Sequence, residues 1–335
     1  MNEMNKKKIE SVYNQKIKLI KYYNLYYYDK SNPKVSDHEY DELKQEILSL
    51  ETRFNFLQSK NSPSQNVGFK PSKNFNKIEH RVPMLSLANA FNEEDLINFR
   101  KKVLNFLNKD DQFRIEFTAE PKIDGISASL IYKNGVLVSG LSRGDGKIGE
   151  DITENLKTIK DIPHLIDKKN FPSQIDIRGE VFIQNNDFKN LKDRFANARN
   201  AASGSLRQKN PEETKKIPLK FIAYTFGFVD KMNIRNQYEF LSQLKEWGFK
   251  TNPLNRLILG IDNLMKNYQD IEKKRMKLDF DIDGIVYKVN EFDLQKRLGY
   301  VANSPRWAIA HKFSATSGIS TIQDIEIQIG RTGAL

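Results

Sequence analysis

The sequence predicts an α+β protein in which an N-terminal helical hairpin precedes a larger domain with antiparallel sheets. Apolar residues recur at helical spacing through residues 6–50. From Phe113 onward, short runs of β-branched and aromatic residues alternate with helical stretches, which is typical of a mixed domain. The pair Asn134-Gly135 lies between two such runs and indicates a tight hairpin turn. At least part of the sheet is therefore expected to be antiparallel.

The N-terminal hairpin consists of two predicted helices. Residues 6–28 carry apolar positions at helical spacing, and the segment DKSNPKV at 29–35 ends that pattern. Ser36 followed by Glu39 makes a capping box, which opens a second helix with one apolar stripe. The stretch at 58–76 is rich in Ser, Asn, Pro and Gly and has no periodicity, so we expect a linker there.

The larger domain is predicted from its strand-like runs, which are short and rich in β-branched and aromatic residues. These runs are FRIEFTAE at 113–120, ISASLIY at 126–132, VLVSG at 136–140, QIDIRGEVFI at 174–183, LKFIAYTFGFV at 219–229 and IDGIVYKV at 282–289. The stretches at 236–249 and 259–278 have the pattern of surface helices. The sequence shows neither an internal repeat nor a low-complexity tract.

Composition excludes several kinds of site and targeting segment. The 335-residue chain contains no cysteine, which excludes disulfides, a thiol nucleophile and cysteine-ligated zinc. Its four histidines are far apart in sequence, so neither a histidine metal cluster nor a Ser/His/Asp triad is indicated. The longest apolar runs are far shorter than a membrane span, and no signal-peptide core follows Met1. We therefore expect a cytoplasmic protein without a membrane partner.

The net charge of +11 favours a polyanionic partner such as nucleic acid. The chain is also rich in Lys, Asn and Ile throughout, so a general bias on a solvated surface remains an alternative explanation of the charge. Charge alone does not decide between the two.

Charged residues within the predicted strands indicate where chemistry could occur. Side chains two positions apart in a strand share a face, which pairs Glu120 with Lys122 and Arg178 with Glu180. A solvated sheet face explains any one of these residues. Several lysines, however, lie in runs that are otherwise apolar or small, where an unpaired charge costs several kcal/mol. Clustered cations lining a pocket for an anion would explain Lys122, Lys288 and Lys312 together.

Five short motifs follow one another along the chain: KIDG at 122–125, SRGDG at 142–146, RGE at 178–180, DGIVYK at 283–288 and WAIAHKF at 307–313. In these motifs the sequence resembles the nucleotidyltransferase motifs of the NAD-dependent DNA ligases of bacteria. Their order and spacing agree with the family, and HRVPMLSLANAF, GDGKIGEDIT, NARNAASGSLRQ and IGRTG extend the match over nearly the whole chain. The four-residue motif KxDG alone would be a weak signal.

The resemblance implies a nucleotidyltransferase domain of the kind found in DNA ligases and mRNA capping enzymes. It implies that Lys122 attacks the α-phosphorus of NAD, forms lysyl-AMP and releases nicotinamide mononucleotide, the first step in sealing nicks in duplex DNA. The amine reacts only unprotonated, and we expect neighbouring cations to lower the pKa of Lys122; the candidates are Arg143, Lys288 and Lys312. The same cations would offset charge on the phosphoryl oxygens. Gly125 is expected to let backbone approach the nucleotide closely.

Further roles follow from the resemblance alone. Catalytic positions are Lys122, Asp124, Lys288 and Lys312. Cofactor-binding positions in the larger domain are Ser86, Leu87, Glu120, Lys122, Arg143, Glu180, Tyr224, Lys288 and Lys312. Glu180 is the candidate magnesium ligand, Arg199 and Arg207 around a small-residue loop are DNA-binding candidates, and Arg275 and Asp283 also match motif positions. Asp124-Gly125 is equally well explained as an ordinary turn pair, and Tyr224 as a buried strand aromatic.

The hairpin carries the residues that the family uses to bind nicotinamide mononucleotide. Aromatic rings would face the cationic pyridinium, and carboxylates would meet its charge and ribose; the residues are Tyr26, Tyr27, Asp37, Tyr40 and Asp41. Tyr27 stands where some members have histidine. Tyr27 and Tyr40 also fit the apolar stripes and could be core residues only, whereas Asp37 and Asp41 are freer to bind.

We expect three units: a helical hairpin at 1–66, an adenylation domain at 67–317, and at 318–335 the start of an oligonucleotide-binding barrel that is truncated here. The cofactors expected are NAD and Mg²⁺, without the zinc of the longer family members. The expected partner is nicked duplex DNA, bound weakly by a monomer. An ATP-using ligase or an RNA-capping-type enzyme, and a noncatalytic basic module that only binds DNA, remain alternatives.

Overall fold

The protein is described by a computed structural model over residues 3–24, 26, 34–57, 75–301, 304–314 and 324. Its helices are α1 Glu3–Asn24, α2 Asp37–Arg53, α3 Glu93–Leu107, α4 Thr153–Lys157, α5 Asn185–Phe188, α6 Ala198–Leu206, α7 Pro211–Lys215, α8 Gln237–Glu246, α9 Ile261–Lys274 and α10 Phe292–Leu298. Within these ranges, no helix combines the length and the apolar character that crossing a membrane requires.

The strands are β1 Lys77–Glu79, β2 Ala88–Ala90, β3 Glu116–Ile123, β4 Ile126–Lys133, β5 Val136–Ser142, β6 Ile148–Glu150, β7 Gln174–Ile183, β8 Leu219–Val229, β9 Arg256–Leu259, β10 Ile282–Val289, β11 Tyr300–Val301, β12 Ser304–Pro305 and β13 Ala308–Lys312. In the described part of the chain, β2-β13-β10-β3-β9 form a five-stranded sheet and β5-β4-β7-β8 a four-stranded one. The pair β13–β2 is parallel, and the other pairs in these sheets are antiparallel. The predicted α+β class with antiparallel sheets is confirmed.

The predicted hairpin turn joins β4 to β5. Asn134 and Gly135 both have positive φ, 50° and 78°. Two residues in the left-handed region match the right-handed twist of the flanking strands. A Cβ on Gly135 would also collide with the backbone oxygen of Ile166, so a glycine is required there on steric grounds as well.

Three hydrophobic cores lie within the described part of the chain. The four-stranded sheet packs against helices including α6 and α8 around Phe221, Phe240 and Trp247. The five-stranded sheet packs against α3, α9 and α10 around residues such as Phe117 and Tyr287. A small third core, which includes Tyr13, Ile20, Leu43, Ile47 and Leu57, holds α1 against α2. The second core also includes Phe182 and Ile222 of the four-stranded sheet, so it extends across the space between the two sheets.

The N-terminal hairpin agrees with the sequence prediction in its second helix. Both capping-box bonds are present: Glu39 N donates to Ser36 Oγ at 3.3 Å, and Ser36 N donates to Glu39 Oε2 at 2.8 Å. Tyr13 on α1 donates to the buried carboxylate of Glu51 on α2 at 2.7 Å. The first helix is described from Glu3 to Asn24, and residues 25, 27 and 28 of the predicted helix lie outside the described residues. The linker predicted at 58–76 lies almost wholly outside the described residues.

The segment predicted as a small-residue loop is the helix α6, so that prediction is wrong. Asn197 caps it by accepting from Asn200 N at 2.7 Å. Ala201 and Ala202 are fully buried beside the four-stranded sheet, where small side chains allow the helix to approach closely. Helix α3 was not predicted either, although Asn92 before three acidic residues is a start signal that could have indicated it.

We predict that Ser36→Ala destabilises the hairpin, because it removes the acceptor for an otherwise unpaired amide at the start of α2. The expected loss is about 1 kcal/mol. Amide hydrogen exchange in α2 measures it as a lower opening free energy. Ser49→Ala makes the same change at an exposed position within α2 and should leave exchange unchanged or slightly slower. Equal effects of the two substitutions would contradict the role of the cap.

Candidate functional site

A cavity of about 410 Å³ lies between the two sheets. The five-stranded sheet contributes residues of β3, β10 and β13, and the four-stranded sheet contributes residues of β4, β7 and β8. Most of the predicted site residues of the larger domain line it: Ser86, Leu87, Glu120, Lys122, Arg143, Glu180, Arg199, Tyr224, Asp283, Lys288 and Lys312. Strand alternation places Arg178 and Glu180 on this face together, as predicted.

The register of the central strands brings two lysines to one point. Gly284 on β10 lies opposite Lys122 on one neighbouring strand and opposite Lys312 on the other. A Cβ on Gly284 would collide with the backbone oxygen of His311, so only glycine allows this close pairing. His311, on the other face of β13, is buried and stacks on Tyr268 with ring centroids 4.0 Å apart.

Lys122 forms an ion pair with Asp283. Its ammonium Nζ donates to both carboxylate oxygens, at 2.9 and 2.7 Å. Burial lowers the pKa of Lys122, but the charges of Asp283 and Asp124 and the hydrogen bond to Asp283 outweigh burial and raise it. The expectation that Arg143, Lys288 and Lys312 lower this pKa is therefore wrong for this state. The cation that opposes the rise is Arg199.

Asp124 and Gly125 have structural partners of their own. Asp124 accepts from Arg199 Nη1 at 2.6 Å, and its backbone N donates to Asp281 O at 2.9 Å. A Cβ on Gly125 would meet Val181 O and the Glu180 side chain. The close approach that Gly125 permits in this structure is thus to β7, which seats Glu180 beside the lysine motif.

Glu180 is a buried carboxylate with few partners. It accepts from Ser127 Oγ at 2.9 Å. Burial raises the pKa of Glu180 to about 7, although Arg199, Ser127 and Lys122 act to lower it. The Arg143 guanidinium lines the same cavity and has no ion-pair partner within the described ranges. Its loop is held by His80, whose Nε2 lies 3.2 Å from the Arg143 carbonyl oxygen.

A second ion pair joins Lys288 to Glu120, two residues along β3 from Lys122. Lys288 Nζ donates to Glu120 Oε2 at 2.8 Å and to the Tyr224 carbonyl at 3.2 Å. Glu120 Oε1 accepts from Thr118 at 2.8 Å and from Gln237 at 3.0 Å. Both members of the ion pair are almost fully buried.

The free positions on this ion pair define a recognition edge. A lysine ammonium offers three N–H donors, and a carboxylate offers about four acceptor positions. Lys288 uses two donors and Glu120 three acceptors within the described structure. About one donor and one acceptor therefore remain, side by side. The Tyr224 ring lies beside them, with the Lys288 ammonium 5.2 Å from its centroid.

The hairpin reaches the cavity through α2. Asp41, predicted to be freer to bind than Tyr27 and Tyr40, is buried and forms an ion pair with Lys312, whose Nζ also lies 3.8 Å from Asp283. Tyr40 lines the cavity and donates to Asn24 Oδ1 at 2.7 Å. Tyr40 also packs on the hairpin core, as the alternative explanation requires.

Of the three other hairpin predictions, only the side chain of Tyr26 is described. Tyr26 is not among the residues that line the cavity and packs on Tyr22, with ring centroids 4.7 Å apart. Tyr27 lies outside the described residues, and the side chain of Asp37 is not described.

Two arginines of the larger domain also lie away from the cavity lining. Arg207 donates to the fully buried Glu150 at 3.2 Å. Arg275 lies over the Phe313 ring, 5.4 Å from its centroid. The sequence pattern did not identify Glu150, His80 or Gln237 as partners of site residues. Gln237 lies 117 positions from Glu120, and no periodicity relates the two.

Comparison with known proteins agrees with the family resemblance of the sequence motifs. A family model described as the NAD-dependent DNA ligase adenylation domain matches residues 72–316. A second, described as a DNA ligase-like, N-terminal NAD+-binding domain, matches residues 6–68. The DNA ligase of Pelagibacter ubique is 68% identical over 99% of this chain and 49% of its own length. That of Saccharophagus degradans is 45% identical over 98% of this chain and 49% of its own.

The chain spans about half the length of these curated relatives. A solved structure with some likeness is the ATP-dependent DNA ligase of bacteriophage T7, at 16% identity and a TM-score of 0.36 over 67% of each chain. We draw nothing from so low a similarity.

We predict that Asp283→Asn lowers the pKa of Lys122. The substitution removes the larger of the two carboxylate charges that raise this pKa. It leaves burial and Arg199, which lower the pKa, and the smaller effect of Asp124, which raises it. The shift in pKa is measured from the pH dependence of Lys122 acylation by an amine-reactive acylating agent, followed by peptide mass spectrometry. Asp281→Asn, a nearby carboxylate bonded to Asn185, is the matched control and should leave the curve in place. A Lys122 curve that stays or moves to higher pH in Asp283→Asn would refute the ion-pair explanation.

Proposed function

The chain belongs to the family of NAD-dependent DNA ligase adenylation domains, and from that premise we propose that it adenylates its own Lys122 with NAD. The ε-amine attacks the α-phosphorus, the N–P bond forms, and the bond to the departing nicotinamide mononucleotide phosphate breaks. The resulting lysyl-AMP is the first intermediate of nick sealing. The convergence of Lys122, Lys288, Lys312 and Arg143 on one cavity carries this proposal.

The attacking amine must first lose a proton, because an ammonium has no lone pair. Both carboxylate oxygens of Asp283 accept from this ammonium, at 2.9 and 2.7 Å. Asp283 is therefore the group positioned to accept the proton or to release the amine as the phosphate arrives. Asp124 keeps Arg199 close to the same ammonium, and that cation favours the neutral amine.

The recognition edge on Lys288 and Glu120 supports an adenine nucleotide. The 6-amino group of adenine donates and its N1 accepts, which matches the remaining acceptor on Glu120 and the remaining donor on Lys288. A 6-oxo purine presents the opposite pattern. Tyr224 is the aromatic face proposed to stack on the base, and Ser86 and Leu87 complete the cavity wall near it.

The phosphates require positive charge, for which Arg143 and Lys312 are proposed. Glu180 fits a magnesium role because it is a buried carboxylate whose pKa of about 7 a cation would lower. Among the described residues, no group of three or more His, Asp or Glu side chains could hold a metal by itself. Mg²⁺ needs only one or two protein carboxylates and takes its other ligands from water and phosphate. When bound, it would neutralise phosphate charge.

The hairpin is proposed to hold the nicotinamide mononucleotide half. Asp41 and Tyr40 already line the cavity, while Tyr26, Tyr27 and Asp37 would complete the binding face if they close on the nucleotide. Positioning the leaving group in line behind the phosphorus can contribute greatly to rate. The match of residues 6–68 to a family model of an N-terminal NAD+-binding domain supports this role for the hairpin.

The remaining expectations are proposals of the same kind. We propose the hairpin at 1–66, the adenylation domain at 67–317 and the start of a barrel at 318–335 as separate units. Nicked duplex DNA is the proposed partner, bound weakly by a monomer through salt-sensitive contacts that include Arg199 and Arg207. The ion pairs of these arginines with Asp124 and Glu150 would have to exchange for phosphate contacts.

We predict that incubation with NAD and magnesium attaches AMP to Lys122 alone, as mapped by peptide mass spectrometry. Lys122→Ala and Lys122→Arg should both remove the adduct, because a guanidinium stays protonated and cannot attack. Lys147→Ala, an exposed lysine, is the control and should retain it. An adduct on Lys288, or none on any residue of the unmodified chain, would defeat the proposal.

We predict that Asp41→Asn slows lysyl-AMP formation from NAD, and also the reverse reaction with nicotinamide mononucleotide, by roughly 100-fold each, the scale of a misplaced reacting group. Asparagine keeps the shape and removes the charge offered to Lys312 and the pyridinium. Glu46→Gln neutralises an exposed carboxylate of the same helix and should leave both rates unchanged. Parent rates in Asp41→Asn, or equal use of ATP and NAD by the unmodified chain, would favour an ATP-using enzyme instead.

A further inference from the structure

We propose that Gln237 is a positioning residue that makes the site select a 6-amino purine over a 6-oxo purine. The proposal rests on the adenylation function above and goes beyond it, because Gln237 does not line the cavity. It acts through Glu120, the carboxylate of the recognition edge.

The Gln237 side chain is fully buried and uses both of its amide protons. Nε2 donates to Glu120 Oε1 at 3.0 Å and to the Tyr224 carbonyl at 2.7 Å. The opposite amide orientation would face its carbonyl oxygen toward two acceptors, so these neighbours fix the orientation. Within the part of the chain that the structure describes, the Gln237 Oε1 atom has no hydrogen-bond partner although it is buried. A buried amide that leaves one atom unsatisfied calls for an explanation other than stability.

Gln237 connects the two sheets by hydrogen bonds next to the proposed binding position of the purine. It is the first residue of α8, and its backbone N donates to Asn290 O at 2.8 Å, just after β10. Its side chain bridges Glu120 on β3 and the Tyr224 backbone on β8, which belong to different sheets. One amide group therefore sets where the acceptor for the base lies relative to the strand that carries the stacking ring.

The selectivity follows from how firmly Glu120 is held. Thr118 and Gln237 occupy one carboxylate oxygen and Lys288 occupies the other, which leaves about one acceptor position for the ligand. A 6-amino group donates to that position, whereas a 6-oxo group meets it as a second acceptor. Without Gln237 the carboxylate can turn away, and the remaining proton of Lys288 can then bind the 6-oxo group.

The test compares NAD with nicotinamide hypoxanthine dinucleotide, which differs only in carrying a 6-oxo purine with a protonated N1. The measured quantity is kcat/KM for nucleotidyl-lysine formation with each dinucleotide, and the readout is their ratio. Gln237→Met keeps the length of the side chain and removes both donors. We expect the preference for NAD to fall about tenfold, the factor that corresponds to one lost hydrogen bond to a charged group. A purely structural role would slow both dinucleotides alike and leave the ratio unchanged.

Gln243→Met makes the same change on the same helix, where the Gln243 side chain bonds only to Glu246 among the hydrogen bonds described, and should leave the ratio at its parent value. An unchanged ratio in folded Gln237→Met overturns the proposal. If that variant does not fold, Thr118→Val decides: it is nearly isosteric and removes the other donor to Glu120 Oε1, so a lower preference supports the proposal and a parent ratio overturns it. An unmodified chain that forms no adduct with NAD fails earlier and refutes the adenylation function, and the inference with it.

Discussion

The site depends on ion pairs that hold three lysines of the five-stranded sheet in the space between the two sheets. Lys122, Lys288 and Lys312 project from neighbouring strands of one sheet into a space with apolar cores on both sides. Each is compensated by a carboxylate: Asp283, Glu120 and Asp41 respectively. Removing one member of such a pair leaves an uncompensated buried charge, which is far more costly than losing a surface ion pair. The ion pairs therefore lower the cost of holding three lysines in one partly enclosed cavity.

Much of the fold could be predicted because local patterns determine it. The runs at 219–229 and 282–289 are the strands β8 and β10, since alternation and β-branched composition act within one segment. The Ser36 cap and the Asn134-Gly135 turn are equally local. Helix α6 was missed because its Ala, Ser and Gly residues have no apolar stripe, and only the neighbouring sheet explains why small side chains are needed.

The sequence predicted which residues line the cavity, but it did not predict which of them form ion pairs with each other. Motif residues identified Lys122, Lys288 and Lys312 as cations of one pocket, and the cavity brings them together. The state of Lys122 could not be deduced, because it depends on Asp283, 161 positions further along the chain, and on how fully the pair is shielded from water. The same limit applies to Gln237, whose role exists only through tertiary contacts. Sequence patterns indicate which charges are present, while their pKa values depend on distances that the fold sets.

Lys312 links the hairpin electrostatically to Lys122, the proposed nucleophile. One ammonium divides its attraction between Asp41 on α2 and Asp283 on β10, and Asp283 in turn holds Lys122. A ligand that occupies Asp41 leaves Lys312 more available to Asp283, which weakens the hold of Asp283 on the lysine amine. By reciprocity, covalent modification of Lys122 releases Asp283 to compete for Lys312 and loosens the docking of the hairpin. Ligand binding at the hairpin and modification of Lys122 therefore affect each other through four charges in series. These charges are Asp41, Lys312, Asp283 and Lys122.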